Sequence, residues 1–259
     1  MEQFNGLSSV ERQEIIFRKI KEQKRIRLEE ISKTFGISTA TARRDLDVLA
    51  EQGKVQRVHG GAILTRKAPP EMAVNQRQLE QADEKVRIGL AAAQMINDGD
   101  TVFISSGTTA LEVARHLVDR SRLTVITNSL PVLNLFNTYQ NISVISLGGN
   151  FRHTEASYIG HLTARSLEEV RADKVIFGIR AISLEEGLTN DYLGETTTDR
   201  TILKIGREII IVADHTKFDR VSTAFVAPLT AIHTVITDDK TPVEFLEGLR
   251  SRNIRVVVA

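Results

Sequence analysis

The sequence contains no cysteine, which excludes disulfides, thiolate metal sites and cysteine nucleophiles. No apolar run approaches the roughly 20 residues that a membrane-spanning helix needs. The longest strand-like run is Ile209-Ile210-Ile211-Val212-Ala213, and no membrane association is expected. Met1-Glu2-Gln3-Phe4-Asn5 has neither a basic start nor an apolar stretch, so a secretory signal is not expected and a cytoplasmic protein is. The 6 histidines show no zinc-type spacing, and neither a metal nor a cofactor is expected. A strong charge of one sign is also missing: the formal net charge is +1. With 41% hydrophobic residues, a globally disordered chain is excluded. What remains is a soluble globular profile of 259 residues, enough for one large domain or a small plus a medium one.

The near-neutral total hides an asymmetry. Through Lys67 there are 14 Lys and Arg against 9 Asp and Glu, and beyond it 20 against 24. A basic head on a slightly acidic body suggests two functions on one chain, with the head facing a polyanion. A solvated basic face remains the plainer reading of the charge alone.

Within the head, Ser8-Ser9-Val10-Glu11 fits a capping box opening a helix to about Gln23, with Ile15, Ile16 and Ile20 at helical spacing. The basic stretch Lys24-Arg25-Ile26-Arg27 leads into a second helix, Leu28 to Phe35, closed by Gly36. Ser38 caps a third, with Ala42, Leu46, Leu49 and Ala50 inward and Gly53 at its end. Two short helices joined by a tight turn with glycine form the helix-turn-helix pattern. Burying those apolar positions leaves Thr39, Thr41, Arg43 and Arg44 facing outward near the start of the third helix. Hydroxyls and guanidinium groups suit phosphates and base edges, and a helix N-terminus favours phosphate. Beyond Gly53, Lys54 to His59 alternates polar with apolar and Gly60-Gly61 turns the chain, as in a β-wing that offers Arg57 and His59 to the DNA backbone.

Thr65 to Pro70 breaks the helical periodicity. Glu71 to Asp83 is polar, Gln-rich and expected to be partly helical, and residues 64–83 read as a linker between a head at 8–63 and a body at 84–259. In the body, strands and helices alternate. Helices are expected at about Lys85–Ile96, at Ala110–Leu117 and after Asn128-Ser129. Strands are expected at Thr101–Ile104, Leu123–Thr127, Ile142–Leu147, Lys174–Phe177, Glu208–Val212, His233–Thr237 and Arg255–Val258. That alternation implies a parallel sheet with helices on both faces, and ligands in such sheets bind beyond the carboxyl ends of the strands. The hydroxyl-rich loop Ser105-Ser106-Gly107-Thr108-Thr109 falls at such an end. It reads as a phosphate cradle or as an ordinary helix cap. Asn128-Ser129, Gly148-Gly149 and Asp214 to Lys217 follow other strands; each alone is a turn, and their shared rim raises the interest.

Ile37 to Leu46, followed by Gly53 and Arg57-Val58-His59-Gly60-Gly61-Ala62, resembles the winged helix-turn-helix signature of the DeoR family. These are bacterial transcriptional regulators, mostly repressors of sugar catabolism. The body is similar to that family's sensor domain, which has the fold of ribose-5-phosphate isomerase. The matching pieces are Ser106-Gly107-Thr108-Thr109, Thr127-Asn128-Ser129-Leu130, Gly148-Gly149 with Arg152, Gly187-Leu188-Thr189, Glu195, and Ala213-Asp214 with Lys217-Phe218.

The resemblance implies a two-domain chain: an N-terminal α+β winged helix-turn-helix and a C-terminal α/β Rossmann-like parallel sheet. It implies double-stranded operator DNA as partner, bound through Ser38, Thr39, Thr41, Arg43, Arg44, Arg57 and His59, with the protein on the nucleoid. A phosphorylated sugar or related anionic metabolite would release the operator. Gly107, Thr108 and Thr109 would hold its phosphate. Asn128, Asp214 and Lys217 would face its sugar, with Ser105, Ser106, Ser129, Gly149, Arg152, Arg180, Thr189 and Glu195 completing the site. A homo-oligomer, dimer or tetramer, would present two heads to half-sites.

Three positions depart from the family pattern, which commonly has an acid at Ser105, Gly-Ile-Asp at Ala181-Ile182-Ser183 and Lys at Asp199. A hydroxyl replaces a carboxylate that could accept from two sugar hydroxyls. The expected effector is therefore a differently decorated or more anionic one, with Arg152 and Arg180 as extra anion contacts. The competing reading is a sugar-phosphate isomerase with a DNA-binding appendage, using Glu195 and Lys217 as base and polarising cation. The acid–base set looks dismantled, and an enzyme is not expected.

Overall fold

A computed structural model describes residues 7–259, in two compact units, Met1–Pro70 and Glu71–Ala259. The segment Met1 to Asn5, read above for a secretory signal, lies outside the described residues. Among the described residues no helix is long and apolar enough to cross a membrane.

In the first unit, helix α1 spans Ser9–Gln23 and opens on a complete capping box. The Glu11 backbone N–H donates to Ser8 Oγ, and the Ser8 N–H donates back to the Glu11 carboxylate at 2.9 Å. Strand β1 (Arg25–Arg27) follows, where only a lead-in to the next helix was expected. Helix α2 (Leu28–Phe35) ends at Gly36, which takes the left-handed cap at φ 63°. Helix α3 (Thr39–Glu51) runs into a wing of β2 (Val55–Val58) and β3 (Gly61–Leu64). Strand β3 lies between β1 and β2, antiparallel to both. The pairing requires Gly61, since a Cβ there would stand 2.1 Å from the Ile26 carbonyl oxygen.

The three helices close over Ile16, Ile20, Ile31, Phe35, Leu46 and Leu49, with Val55 from the wing. At about 1.5–3 kcal/mol for each large side chain taken from water, this small core gains only modestly over the entropy of ordering the unit. A polar clamp adds to it. Asp45 of α3 is buried and accepts from Arg12 Nε at 2.7 Å, from the second Arg12 nitrogen at 3.1 Å and from the Gln13 amide at 3.0 Å. Asp45→Ala removes the acceptor of three hydrogen bonds and leaves the half-buried Arg12 unpaired, which costs about 1–3 kcal/mol. The expected result is an early unfolding transition of the first unit in calorimetry, with the transition of the second unit unmoved.

In the second unit, a turn of helix α4 (Val74–Arg77) precedes α5 (Ala82–Ala93). There follow β4 (Thr101–Ile104), α6 (Thr108–Arg115), β5 (Leu123–Thr127), α7 (Leu130–Phe136) and β6 (Ile142–Ser146). A hairpin, β7 (Asn150–Arg152) with β8 (Ser157–Ile159), leads to α8 (His161–Glu168) and β9 (Ala172–Gly178). Next come β10 (Ala181–Ser183), β11 (Gly187–Asn190), α9 (Thr196–Ile205), β12 (Gly206–Val212) and β13 (Ala224–Ala227). The chain closes with β14 (Thr234–Thr237), α10 (Val243–Arg250) and β15 (Arg255–Val258).

Seven strands form one parallel sheet in the order β15-β14-β12-β9-β4-β5-β6. Successive side chains point to opposite faces, so the strands are apolar on both. Val102, Ile104, Ile176 and Ile210 pack with Ile88, Leu111 and Phe136 of α5, α6 and α7. Phe103, Val175, Phe177 and Ile211 pack with Leu167, Ile202 and Phe245 of α8, α9 and α10. The smaller sheet β10-β11-β13 is not hydrogen-bonded to the large one, but its Ile182, Leu188 and Val226 share a core with Phe177 and Ile211. The chain leaves β4 toward β5 on one side and returns through β9 on the other. That makes the carboxyl ends of β4 and β9 a topological switch point, where open α/β sheets bind ligands.

Candidate functional site

In the first unit the residues expected to meet DNA lie at the start of α3 and on the wing. Ser38 caps α3, accepting the Thr41 backbone N–H at 3.1 Å, and its hydroxyl lies 2.9 Å from the Thr41 hydroxyl. The first turn of α3 holds no acid, and Thr39, Arg43 and Arg44 are exposed there; Thr41 is half-buried. His59 is exposed on the wing turn. Arg57 is different: its Nε pairs with Asp47 at 3.0 Å and its guanidinium donates to the Gly61 carbonyl at 3.2 Å. The wing arginine thus braces β2 against α3, and alternation alone could not distinguish that from a DNA contact.

In the second unit an open cavity sits on the switch point. Its floor is the loop Ser105 to Thr109 between β4 and α6. The loop is stitched to β9 by the Ser105 N–H on the Ile176 carbonyl and by the Gly178 N–H on Ser105 Oγ, both at 3.0 Å. Gly107, at φ 105°, turns the chain into α6, so that the backbone of Thr108 and Thr109 opens the helix on the cavity. Asn128, Arg180, Glu195 and Lys217 join this loop around the cavity, so that nine of the expected effector residues line it together.

The other expected residues hold the wall up. Ser129 caps α7, accepting from the Val132 N–H at 3.4 Å. Gly149 is a packing glycine, where a Cβ would meet Thr163 Oγ1 at 2.1 Å. Thr189 accepts the Ser222 N–H at 2.8 Å. Asp214 is buried behind Lys217, accepting from the Thr216 N–H at 3.0 Å with Lys217 Nζ at 3.8 Å. Burial opposes its charge, yet Lys217 and Thr216 hold its carboxyl below the usual range. Arg152 donates to both Glu71 and Glu195 and lies 4.6 Å over the Tyr192 ring.

Sequence reasoning missed several lining residues. Glu71, Arg77 and Glu80 come from the stretch 64–83 read as a linker, whose residues from Glu71 on belong to the second unit. The backbone there is fixed by the Val74 N–H on the Thr154 carbonyl at 2.8 Å, and Arg77 pairs with Glu155. Lys85 was read only as a helix start. It is buried, donates to the Arg77 carbonyl at 2.6 Å and to that of Glu80, and burial pushes its pKa down to about 8. Asp199, known from the sequence only as a departure, is fully buried in the wall and takes the Asn190 amide at 2.6 Å. The one available signal was helical: Glu195, Asp199 and Ile202 share a face of α9.

Residues 12–68 match the model of the DeoR-like helix-turn-helix domain, and residues 80–239 that of the DeoR C terminal sensor domain. The chain belongs to the DeoR family. The glycerol-3-phosphate regulon repressor of Escherichia coli K12 is 33% identical over 254 residues, 96% of this DeoR-family chain and 99% of that protein. The transcriptional repressor AccR of Agrobacterium fabrum is 33% identical over 236 residues, 90% and 91% of the two chains. The regulator IolR of Bacillus subtilis is 29% identical over 234 residues, 90% and 93%. A ribose 5-phosphate isomerase from Methanocaldococcus jannaschii overlaps 54% of this chain and 55% of its own, at 19% identity and a TM-score of 0.40, too distant to bear on activity. As a DeoR-family member the chain is a transcriptional regulator with a DNA-binding and a sensor domain, not an isomerase.

Proposed function

We propose that this regulator represses a carbohydrate-utilisation operon and releases its operator when a phosphorylated sugar, or a related metabolite, fills the cavity of the second unit. The observation that carries the effector reading is the Ser105–Thr109 loop. It opens α6 at the switch point of the sheet, with Lys85, Arg180 and Lys217 on the same cavity. Backbone N–H groups at a helix start, hydroxyls and buried cations are what a phosphate dianion needs. Gly107, Thr108 and Thr109 hold the phosphate, while Asn128 and Glu195 face the sugar, with Ser105, Ser106 and Arg180 beside them. Asp214 orients Lys217, while Ser129, Gly149, Arg152 and Thr189 keep the wall in shape.

On the DNA, Ser38, Thr39, Thr41, Arg43 and Arg44 meet the major groove and His59 the backbone, with Arg57 bracing the wing. Two heads of a homo-oligomer, in the cytoplasm and on the nucleoid, occupy half-sites a whole number of helical turns apart. Glu71 follows directly on the last residue of the first unit, and Glu71 and Arg77 are both tied to cavity carboxylates or their partner. An occupant of the cavity therefore acts on the stretch of chain that leads to the head. The coupling is reciprocal, so operator and effector weaken each other by the same factor.

The test is fluorescence anisotropy of the full chain on its native upstream DNA, titrated with a panel of sugar phosphates. A salt-sensitive complex dissolved by at least one of them is expected; no complex, or one that none dissolves, overturns the reading. Thr108→Val keeps the side-chain shape and removes a hydroxyl. It is expected to raise the effector concentration for half-release by about tenfold to a hundredfold, as for one hydrogen bond to a charged group, with operator affinity unchanged.

A further inference from the structure

We propose that the effector is a phosphorylated sugar bearing a primary amine, whose ammonium group is held by Glu195 and Asp199 in the cavity that the phosphate loop also lines. The inference rests on the reading of the cavity given above and specifies the far end of the ligand.

The cavity carries both signs of charge. Lys85 and Lys217 line it with the hydroxyl loop, and so do Glu71, Glu195 and Asp199 with Glu155, acids near enough to one another that Glu155 and Glu71 act on Glu195, and Glu195 and Glu155 on Asp199. Among the described residues two guanidinium groups pair with those four acids: Arg152 donates to Glu71 and Glu195, and Arg77 to Glu155. Among the described residues Asp199 has no ion pair; its partner is the neutral amide of Asn190. Buried carboxylates without counter-charge are costly, and such a group takes up protons instead. Burial, against the pull of Arg152 and with the push of Glu155 and Glu71, raises Glu195 to about 7. Burial and the neighbouring Glu195 raise Asp199 further from its ordinary range. A ligand ammonium replaces those protons with N–H donors and a charge of the right sign.

A second observation points the same way. Asn128 is 2% exposed and lines the cavity; its amide nitrogen donates to the Tyr158 carbonyl at 2.9 Å, and its Oδ1 has no partner. A bare buried acceptor calls for an N–H or O–H from the ligand and repels a second anionic group. The two arginines expected as extra anion contacts are occupied, Arg152 by Glu71 and Glu195 and Arg180 by Asp191 at 2.8 Å. The ligand's extra decoration is thus cationic and not anionic.

Titration calorimetry on the full chain with matched pairs tests this: glucosamine 6-phosphate against glucose 6-phosphate, and galactosamine 6-phosphate against galactose 6-phosphate. In at least one pair the amine is expected to bind about tenfold or more tightly than its hydroxyl twin, as for a buried charge-assisted contact. Its binding should also release more protons at pH 7, read from the heats in two buffers of different ionisation enthalpy. Asp199→Asn and Glu195→Gln, two near-isosteric changes, should each erase most of that preference and the extra proton release. Twins that bind equally, or a preference that survives both substitutions, overturn the proposal. If a hydroxyl twin binds and frees the operator while the amine does not, the amine assignment falls and the effector cavity stands. If no member of either pair binds, both fall together.

Discussion

Replacing both Arg43 and Arg44 by alanine is expected to abolish operator binding while leaving effector binding to the second unit as it was. Both side chains are exposed on the first turns of α3, beyond a Ser38 cap that fixes where the helix starts. A base-edge or phosphate contact by arginine contributes about 1–3 kcal/mol, and two separate contacts together put the reduction in affinity near a hundredfold to a thousandfold or beyond. The salt dependence separates the two kinds of interaction. An arginine that neutralises a phosphate contributes about one to the slope of log affinity on log salt, so its removal flattens the slope by that amount. Removal of an arginine that reads a base edge leaves the slope unchanged and relaxes specificity. The fold is not at risk, because the buried positions of α3, Ala42, Asp45, Leu46 and Leu49, are untouched. Anisotropy on operator and scrambled DNA at several salt concentrations reads both effects. Unchanged affinity for the operator would mean that α3 does not enter the groove.

The elements that sequence reading located best are those set by local chemistry. Leu28–Phe35 was legible to the residue because three apolar positions share one helical face and Gly36 accepts the left-handed cap at little cost. The core strands were legible because parallel strands covered on both faces read as plain apolar runs, as in Glu208 to Val212. Strand β1 was not, because Arg25–Arg27 is extended only by its long-range pairing with β3. The hairpin of β7 and β8 escaped notice for the same reason, its segments being short and mixed in polarity.

The candidate site divides along a similar line. The Ser105–Thr109 loop announced itself, since a hydroxyl run between an apolar strand and a helix has few roles. Glu71, Arg77 and Glu80 did not, because residues 71–83 carry no periodicity and their place in the wall depends on contacts with Arg152, Glu155 and Lys85. Charge partners were equally hidden. Arg57 and Arg152 looked available as cations, and only three-dimensional structure pairs them with Asp47, Glu71 and Glu195.

Lys85→Met is expected to weaken sugar-phosphate binding about tenfold to a hundredfold near neutral pH and to remove much of its alkaline decline. The lysine is buried among Asp214, Lys217, Arg77 and Glu80, and burial lowers its pKa to about 8. Near pH 7 it is charged and serves a phosphate dianion. Near pH 9 it is mostly neutral, so affinity in the natural protein falls across that interval and binding takes up protons around its midpoint. Methionine keeps the aliphatic stem and has no charge to lose, so the variant starts weaker and declines less. Lys217, also lowered by burial, accounts for what decline remains. Folding stability moves in the opposite sense. A lysine lowered from 10.5 on folding favours the folded chain increasingly as pH rises through about 8, and the variant lacks that gain. Calorimetric titration and thermal melts at several pH values check both. An affinity and pH profile equal to those of the natural protein would place the phosphate away from Lys85.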